Sequence, residues 1–269
     1  MSDSNVTSRD RIPVRKGKAT SAKPDLLAVE EPLEIRLRNE SVSVTMRTPG
    51  HDFELAAGFL FTEGILHSAG EIGSMRHCDE AEERNIVDVH PADGVQIDTT
   101  KLQRNFYATS SCGICGKASI DQIRTLAPPF ESDLKVSPSL LETLPGAMRR
   151  KQEAFDKTGG LHAAGIFDGT GKLLALREDV GRHNAVDKAI GHLFLQEKVP
   201  LDQHILMVSG RASFEILQKA RMASLPIVCA VSAPSSLAVD FAVENGMTLV
   251  GFLRGSEMNI YAGKERITP

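Results

Sequence analysis

Between residues 161 and 253 the chain alternates short apolar runs with amphipathic segments, and this alternation restricts the possible folds more than any other feature. Residues 161–167 and 172–176 read as a β-hairpin around Asp168-Gly169-Thr170-Gly171. A helix over 180–198 follows, with Val186, Ile190, Leu193 and Phe194 on its buried side. Strand 205–208, helix 214–223, strand 227–231, helix 237–245 and strand 248–253 complete the series. This order predicts an α/β layer with at least partly parallel strands. No internal repeat of fixed period is visible.

The N-terminal part has a different texture. Residues 33–37 and 42–46 alternate apolar and polar side chains around Arg38-Asn39-Glu40, which predicts a hairpin. Thr48-Pro49-Gly50 breaks the pattern, and Asp52 is placed to cap a helix over 53–66. Short alternating segments at 85–90 and 95–98 complete a small strand-rich α+β unit over 25–105. The larger α/β domain is assigned to 106–269 and includes a further helix over 139–155. Ahead of both, residues 1–24 carry six basic side chains (Arg9, Arg11, Arg15, Lys16, Lys18, Lys23) against Asp3 and Asp10. With so little apolar content this arm is expected to be disordered and solvated.

Bulk properties remove several function classes. The formal net charge is −4, the aromatic share is 5% and tryptophan is absent, so neither a basic footprint nor a stacking surface for nucleic acid is expected. No apolar run has bilayer-spanning length and no signal-peptide core precedes the body, so a cytoplasmic protein without membrane contact is expected. Four cysteines, Cys78, Cys112, Cys115 and Cys229, are too few and too scattered for a secreted disulfide scaffold.

Two of them form the strongest chemical signal. Cys112-Gly113-Ile114-Cys115-Gly116-Lys117 follows the polar turn Thr109-Ser110-Ser111 and leads into helical spacing at Ile120, Ile123 and Leu126. A thiol at a helix start beside a lysine is activated, because free N–H groups and positive charge stabilise the thiolate. The spacing lets two sulfurs meet in a disulfide, share a metal or place one thiolate beside a second thiol, which admits half of a structural zinc site, a dithiol oxidoreductase or a zinc deaminase. Zinc needs two further ligands, and no second Cys-x-x-Cys exists; Cys229 lies within an apolar strand and reads as core. A thioredoxin-type motif normally follows an early strand with a tryptophan before it. A catalytic zinc deaminase needs a His-x-Glu that the chain lacks. What remains is an accessible, activated cysteine pair, Cys112 and Cys115.

Three strand-to-helix turns have anion-binding character. Glu178-Asp179-Val180-Gly181-Arg182-His183-Asn184 opens one helix, with Asp179 as the expected N-cap. Ser209-Gly210-Arg211 and Ala233-Pro234-Ser235-Ser236 open the next two. Arg182 and Arg211 are suited to bidentate phosphate contacts. His183 draws weight from its polar neighbours, whereas His162 on the first strand reads as a satisfied core histidine. Gly251-Phe252-Leu253-Arg254-Gly255-Ser256-Glu257 ends the last strand with polar groups exposed.

Taken together, these residues resemble the formate dehydrogenase accessory sulfurtransferase family, FdhD. The resemblance is carried by Thr109–Lys117, by Gly160-Leu161-His162-Ala163-Ala164, and by Glu178 through Lys188. It continues through Ser209-Gly210-Arg211, Pro234–Ala238, Gly251–Gly255 and Asn259-Ile260-Tyr261. It implies a sulfurtransferase with a cysteine-persulfide intermediate. Sulfur would come from a cysteine desulfurase and pass to the molybdenum or tungsten bis-pterin guanine dinucleotide cofactor of formate dehydrogenase. That cofactor is cargo, and no tightly held metal of the protein's own is implied. The resemblance also implies a homodimer and a three-layer α/β/α core of the cytidine deaminase-like kind. Its dinucleotide-contacting stretch corresponds to Phe252, Leu253, Arg254, Gly255, Ser256 and Glu257. Ser209, Gly210, Arg211, Arg182 and His183 are expected to add contacts to the guanine nucleotide moiety.

Overall fold

The computed structural model describes residues 5–78, 85–97 and 131–268. Cys112, Cys115, the helix expected after them and the expected boundary at 105/106 lie outside the described residues.

The larger sheet has six strands in the order β10-β9-β11-β12-β13-β14. These are β9 (His162–Asp168), β10 (Leu173–Asp179), β11 (His204–Val208), β12 (Ile227–Ala230), β13 (Thr248–Arg254) and β14 (Glu257–Ala262). β11, β12 and β13 run parallel; β9 is antiparallel to both β10 and β11, and β14 is antiparallel to β13. The central strands are apolar on both faces, as a sheet covered on both sides requires. Ile166, Leu206, Val228 and Leu249 face α4 (Arg182–Phe194), α5 (Phe214–Met222) and α6 (Ser236–Glu244). Phe167, Met207, Cys229 and Val250 face the opposite way, onto Leu141, Leu144 and Met148 of α2 (Pro138–Arg149). The expected α/β layer is therefore present, with helices on both faces. Cys229 is fully buried in β12, and burial pushes its thiol pKa up to about 12.

The smaller sheet has the order β6-β5-β8-β7, built from β5 (Glu31–Leu37), β6 (Glu40–Arg47), β7 (Ile72–His77) and β8 (Ile86–Pro91). Its apolar face, Leu33, Ile35, Leu37, Val42, Val87 and Val89, joins α1 (Asp52–Thr62) and the inner sides of α4, α5 and α6 in one core. The contact between α1 and α4 is close because both helices present glycine at the crossing. A Cβ on Gly58 would lie 1.9 Å from the Asp187 carbonyl oxygen, and one on Gly191 1.9 Å from that of Glu54. No described helix is long and apolar enough to cross a membrane.

Several expectations need correction. Residues 6–28 are not an unstructured arm: β1 (Val6–Arg11) pairs antiparallel with β4 (Lys23–Ala28), and β2 (Val14–Arg15) pairs with β3 (Lys18–Ala19). The ribbon is held by backbone hydrogen bonds and closed at Lys16-Gly17, both at positive φ, so it needs no apolar face of its own. The helix expected over 139–155 is broken into α2 and α3 (Glu153–Thr158). At α1 the N-cap position is His51, while Asp52 accepts two hydrogen bonds from Arg47. Gly181, not Asp179, occupies the N-cap position of α4.

Candidate functional site

Because β10 is parallel to β11, the carboxyl ends of β10, β11, β12 and β13 lie along one edge of the sheet, together with the start of β9. The three small-residue turns and the Phe252–Glu257 segment all fall on this edge, the usual ligand position in open α/β sheets. Past the strand ends the backbones remain laced together. Ser232 N donates to the Gly210 carbonyl at 3.3 Å, Phe252 N to that of Ser232 at 3.2 Å, and Ser235 N to that of Ala212 at 3.0 Å. Ser209 exchanges bonds with Ala163: its hydroxyl accepts from Ala163 N at 2.8 Å, and its own N–H donates back at 2.9 Å. Gly210 passes so near His162 that a Cβ there would lie 3.2 Å from Nδ1.

The Glu178–Asn184 block is wired by its first two residues, which point to opposite faces of β10 as the strand period demands. Glu178 accepts from the N–H groups of Ala154 at 3.0 Å and Phe155 at 2.8 Å, so it caps α3; burial nevertheless raises its pKa. Asp179, fully buried, accepts from Thr48 N at 3.1 Å, Gly181 N at 2.8 Å and Asn184 Nδ2 at 3.1 Å, and pairs with Lys188 Nζ at 2.7 Å. Lys188 also donates to the Thr48 carbonyl at 2.7 Å. Asp179 thus shapes the turn that presents Arg182 and His183, rather than capping the helix.

Two cavities meet at the edge. One, of about 620 Å³, lies between β6, α1 and the starts of α4 and α5; Arg182, His183, Glu215 and Lys219 are among its walls. The other, of about 480 Å³, lies on the α2 side and includes Gln152, Phe155, Ser209 and Val231. His162 lines both. Its pKa is lowered by burial first and then by Arg182, His183 and Arg211, with Asp179 opposing. His183 Nε2 lies 3.3 Å from Ser213 Oγ and 3.7 Å from Glu215 Oε2. The imidazole beside it holds the Glu215 carboxyl down at about 2 against the effect of burial. Deeper in the larger cavity, Lys219 Nζ contacts Asp187 at 2.9 Å, Thr62 at 3.0 Å and Glu63 at 3.3 Å. Burial acts to lower the Lys219 pKa, but the two carboxylates outweigh it and keep the ammonium charged.

Arg182 and Arg211 differ from the other arginines of this region. Neither guanidinium makes a hydrogen bond or ion pair to any described residue, and the Arg182 Nε is sealed from solvent without a partner. Arg254, at the β13 end, donates from Nε to the Val231 carbonyl at 2.9 Å, with its guanidinium 5.8 Å from the Phe252 ring centroid. Phe252 and Gly255 both adopt positive φ in this segment, which turns into β14. The expected binding residues therefore share one edge, although Arg182 and His183 line the first cavity whereas Ser209 lines the second. Sequence reasoning undervalued His162 and overlooked Glu215, which line the first cavity together. His162 had a signal in the Gly160–Ala164 block, while Glu215 becomes visible only once α5 is placed against the sheet.

Fold and edge together define a mixed α/β protein whose Arg182 and Arg211, at the carboxyl ends of strands on one sheet edge, make no hydrogen bond or ion pair among the described residues. The chain belongs to the FdhD/NarQ family, whose model matches residues 28–268. It is 52% identical over 270 residues to the sulfur carrier protein FdhD of Streptomyces avermitilis, covering 97% of this chain and 96% of that one. The protein of the same name from Saccharolobus solfataricus is 43% identical over 248 residues, covering 90% and 91%. A crystal structure assigned as a formate dehydrogenase accessory protein of Desulfotalea psychrophila has the same fold. Its TM-score is 0.81 at 23% identity, covering 98% of this chain and 100% of that one.

Proposed function

We propose that this protein is a sulfur carrier that loads sulfur on Cys112, assisted by Cys115, and delivers it to a guanine dinucleotide-bearing metal cofactor held at the sheet edge. Family membership supports the sulfur chemistry. The observation that carries the nucleotide reading is the Arg182 guanidinium, which lines the first cavity with His162 and whose buried Nε has no partner among the described residues, with the exposed Arg211 close enough to act on the same histidine. A cation without a carboxylate partner in a partly enclosed site fits an anionic ligand, for which each charge-assisted bond contributes roughly 1.5–3 kcal/mol.

In the loading step the Cys112 thiolate attacks the outer sulfur of a cysteine desulfurase persulfide. The donor's S–S bond breaks, the donor cysteine leaves as thiolate, and Cys112 becomes the persulfide. Attack of the Cys115 thiolate on the inner sulfur of the Cys112 persulfide would then break its S–S bond, form a Cys112–Cys115 disulfide and release the outer sulfur as hydrosulfide to the molybdenum or tungsten bis-pterin guanine dinucleotide cofactor destined for formate dehydrogenase, which is the substrate of the second step. Arg182, His183, Ser209, Gly210, Arg211 and the segment Phe252–Glu257 would hold its nucleotide portion. The same reading includes a homodimer, a cytoplasmic location and a core of the cytidine deaminase-like kind.

Two measurements test it. Intact mass after incubation with a desulfurase and cysteine should show added sulfur on the wild type and none on Cys112→Ala. Calorimetry should show GDP binding that Arg211→Ala weakens roughly tenfold to a hundredfold while sulfur loading persists. Loading that survives Cys112→Ala and vanishes in Cys115→Ala would reverse the cysteine roles. Loss of loading in Arg211→Ala with unchanged GDP binding would assign that arginine to the cysteine site.

A further inference from the structure

We propose that the amino-terminal ribbon, β1 to β4, is a docking element for an acidic surface of the protein that donates the sulfur, and holds that donor beside the sheet edge during loading. The assignment rests on the sulfur-carrier reading above and adds to it the surface by which the donor is met.

The first observation is charge. Residues 5–28 carry six basic side chains against Asp10 and Asp25, whereas the rest of the chain carries 25 basic and 33 acidic ones. A ribbon of +4 is therefore attached to a body of −8. Lys16, Lys18 and Lys23 are exposed and make no ion pair with any described residue. The register sets Arg11 directly opposite Lys23, with Asp25 3.2 Å from Arg11 Nε. Cations facing each other across a ribbon weaken it, and an anionic partner removes that cost.

The second observation is the apolar surface among these cations. Ile12 and Val14, towards the far end of the ribbon, are 63% and 64% exposed, and Leu26 and Leu27 are each 43% exposed. One exposed aliphatic is ordinary. Four within residues 5–28, interleaved with lysine and arginine, give apolar contact points with a polar surround, as protein interfaces do. The same residues include no aromatic side chain, so they offer a nucleic acid no stacking group. Aliphatic contacts set between cations fit an acidic protein surface instead.

The third is position. β1 and β4 pack on α3, and Ala28 at the end of β4 meets Gly160, where a Cβ would lie 3.8 Å from the Ala28 Cβ. Gly160 leads into β9, whose first residue, His162, belongs to the sheet edge. A protein held along the ribbon is therefore beside that edge. Loading is a transfer between two proteins, whereas the second step acts on the cofactor, so the donor is the macromolecule whose approach the ribbon orients. The acidic body repels an acidic donor while the ribbon attracts it, and this contrast steers the encounter to one side of the molecule.

The test follows sulfur loading of the full-length protein by intact mass, from a cysteine desulfurase supplied with cysteine and, separately, from glutathione persulfide. The variant Lys16→Glu/Lys18→Glu/Lys23→Glu should lower kcat/KM for the desulfurase about tenfold or more at low salt, and leave loading from glutathione persulfide unchanged. The gap should close near 1 M salt, where the screening length is about 3 Å. Glutamine at the same three positions should give an intermediate value, and Ile12→Ser/Val14→Ser should raise the KM for the desulfurase at either salt concentration. Desulfurase kcat/KM unchanged by the glutamate variant would overturn the docking surface. Equal slowing with both donors would mean that the ribbon supports the edge structurally, and would also overturn it. Binding of a single-stranded RNA that the glutamate variant abolishes, with loading unchanged, would assign the ribbon to nucleic acid. A wild type loaded by glutathione persulfide but not by the desulfurase would overturn the proposal alone, whereas one loaded by neither would overturn the sulfur-carrier reading itself.

Discussion

Replacing Lys188 with methionine isolates the buried pair on which the Arg182–His183 turn depends. The side chains of Lys188 and Asp179 are 1% and 0% exposed, and Nζ bonds both the Asp179 carboxylate and the Thr48 carbonyl at 2.7 Å. Methionine nearly conserves the stem, so the transfer and cavity contributions are small and the change is chiefly electrostatic. It leaves a fully buried carboxylate without its cation, a defect that costs roughly 3–5 kcal/mol. For a chain of this size that corresponds to a melting temperature lower by about 6–20 °C. Guanidinium denaturation with a common slope for wild type and variant would measure the loss directly. The double variant Lys188→Met/Asp179→Asn removes the stranded charge and should recover part of the loss, which appears as a coupling energy in the cycle. A single variant within about 1 kcal/mol of wild type, or strictly additive losses, would refute the reasoning.

Three other outcomes are expected. Gly58→Ala places a methyl 1.9 Å from the Asp187 carbonyl, so α1 and α4 must part; a loss of about 1–3 kcal/mol or more should appear in the unfolding midpoint, and an unchanged midpoint would contradict the contact. Cys229, with its thiol held near 12 and fully buried, should resist iodoacetamide at pH 8 in the native protein and react after denaturation, as peptide mapping would show. Glu215 has a folded-state pKa of about 2 against an ordinary 4.5, so its contribution is present above pH 4.5 and is lost as the pH falls towards 2. Glu215→Gln should therefore be less stable than wild type at pH 7, with the gap closing across that window in denaturation curves. A gap independent of pH would sever the His183–Glu215 link.

The strands β9 and β11 to β13 were legible to within one residue because each is a compact apolar run bounded by turn residues, whereas the end of the edge strand β10, Arg177-Glu178-Asp179, is polar and was read three residues short. β14 was missed because Glu257, Asn259, Ile260 and Tyr261 are exposed on an edge strand and show no clean period. The β1–β4 ribbon was missed for a related reason: it is satisfied by backbone bonds, which composition does not record. Arg182, Arg211 and the small-residue turns were readable as helix starts after strands. Their convergence on one edge required the strand order. The glycine crossing was silent, as Gly58 and Gly191 look like ordinary weak points in two helices until the helices are superposed.

The single core shared by the two sheets has a consequence for synthesis. Thr62 on α1 bonds Asp187 on α4 across 125 residues of sequence, and α1 packs nowhere else as closely. At about 5–20 residues per second a ribosome needs roughly 6–25 s to make that intervening stretch. During this interval Leu33, Ile35, Leu55 and Leu60, all fully or almost fully buried at the end, lack the α4, α5 and α6 side of their core. The amino-terminal sheet is therefore a waiting intermediate by construction, exposed to chaperones and proteases until α4 emerges. Ribosome-bound chains truncated between α1 and α4 should be cut by protease within α1, and chains extended past β13 should be protected there.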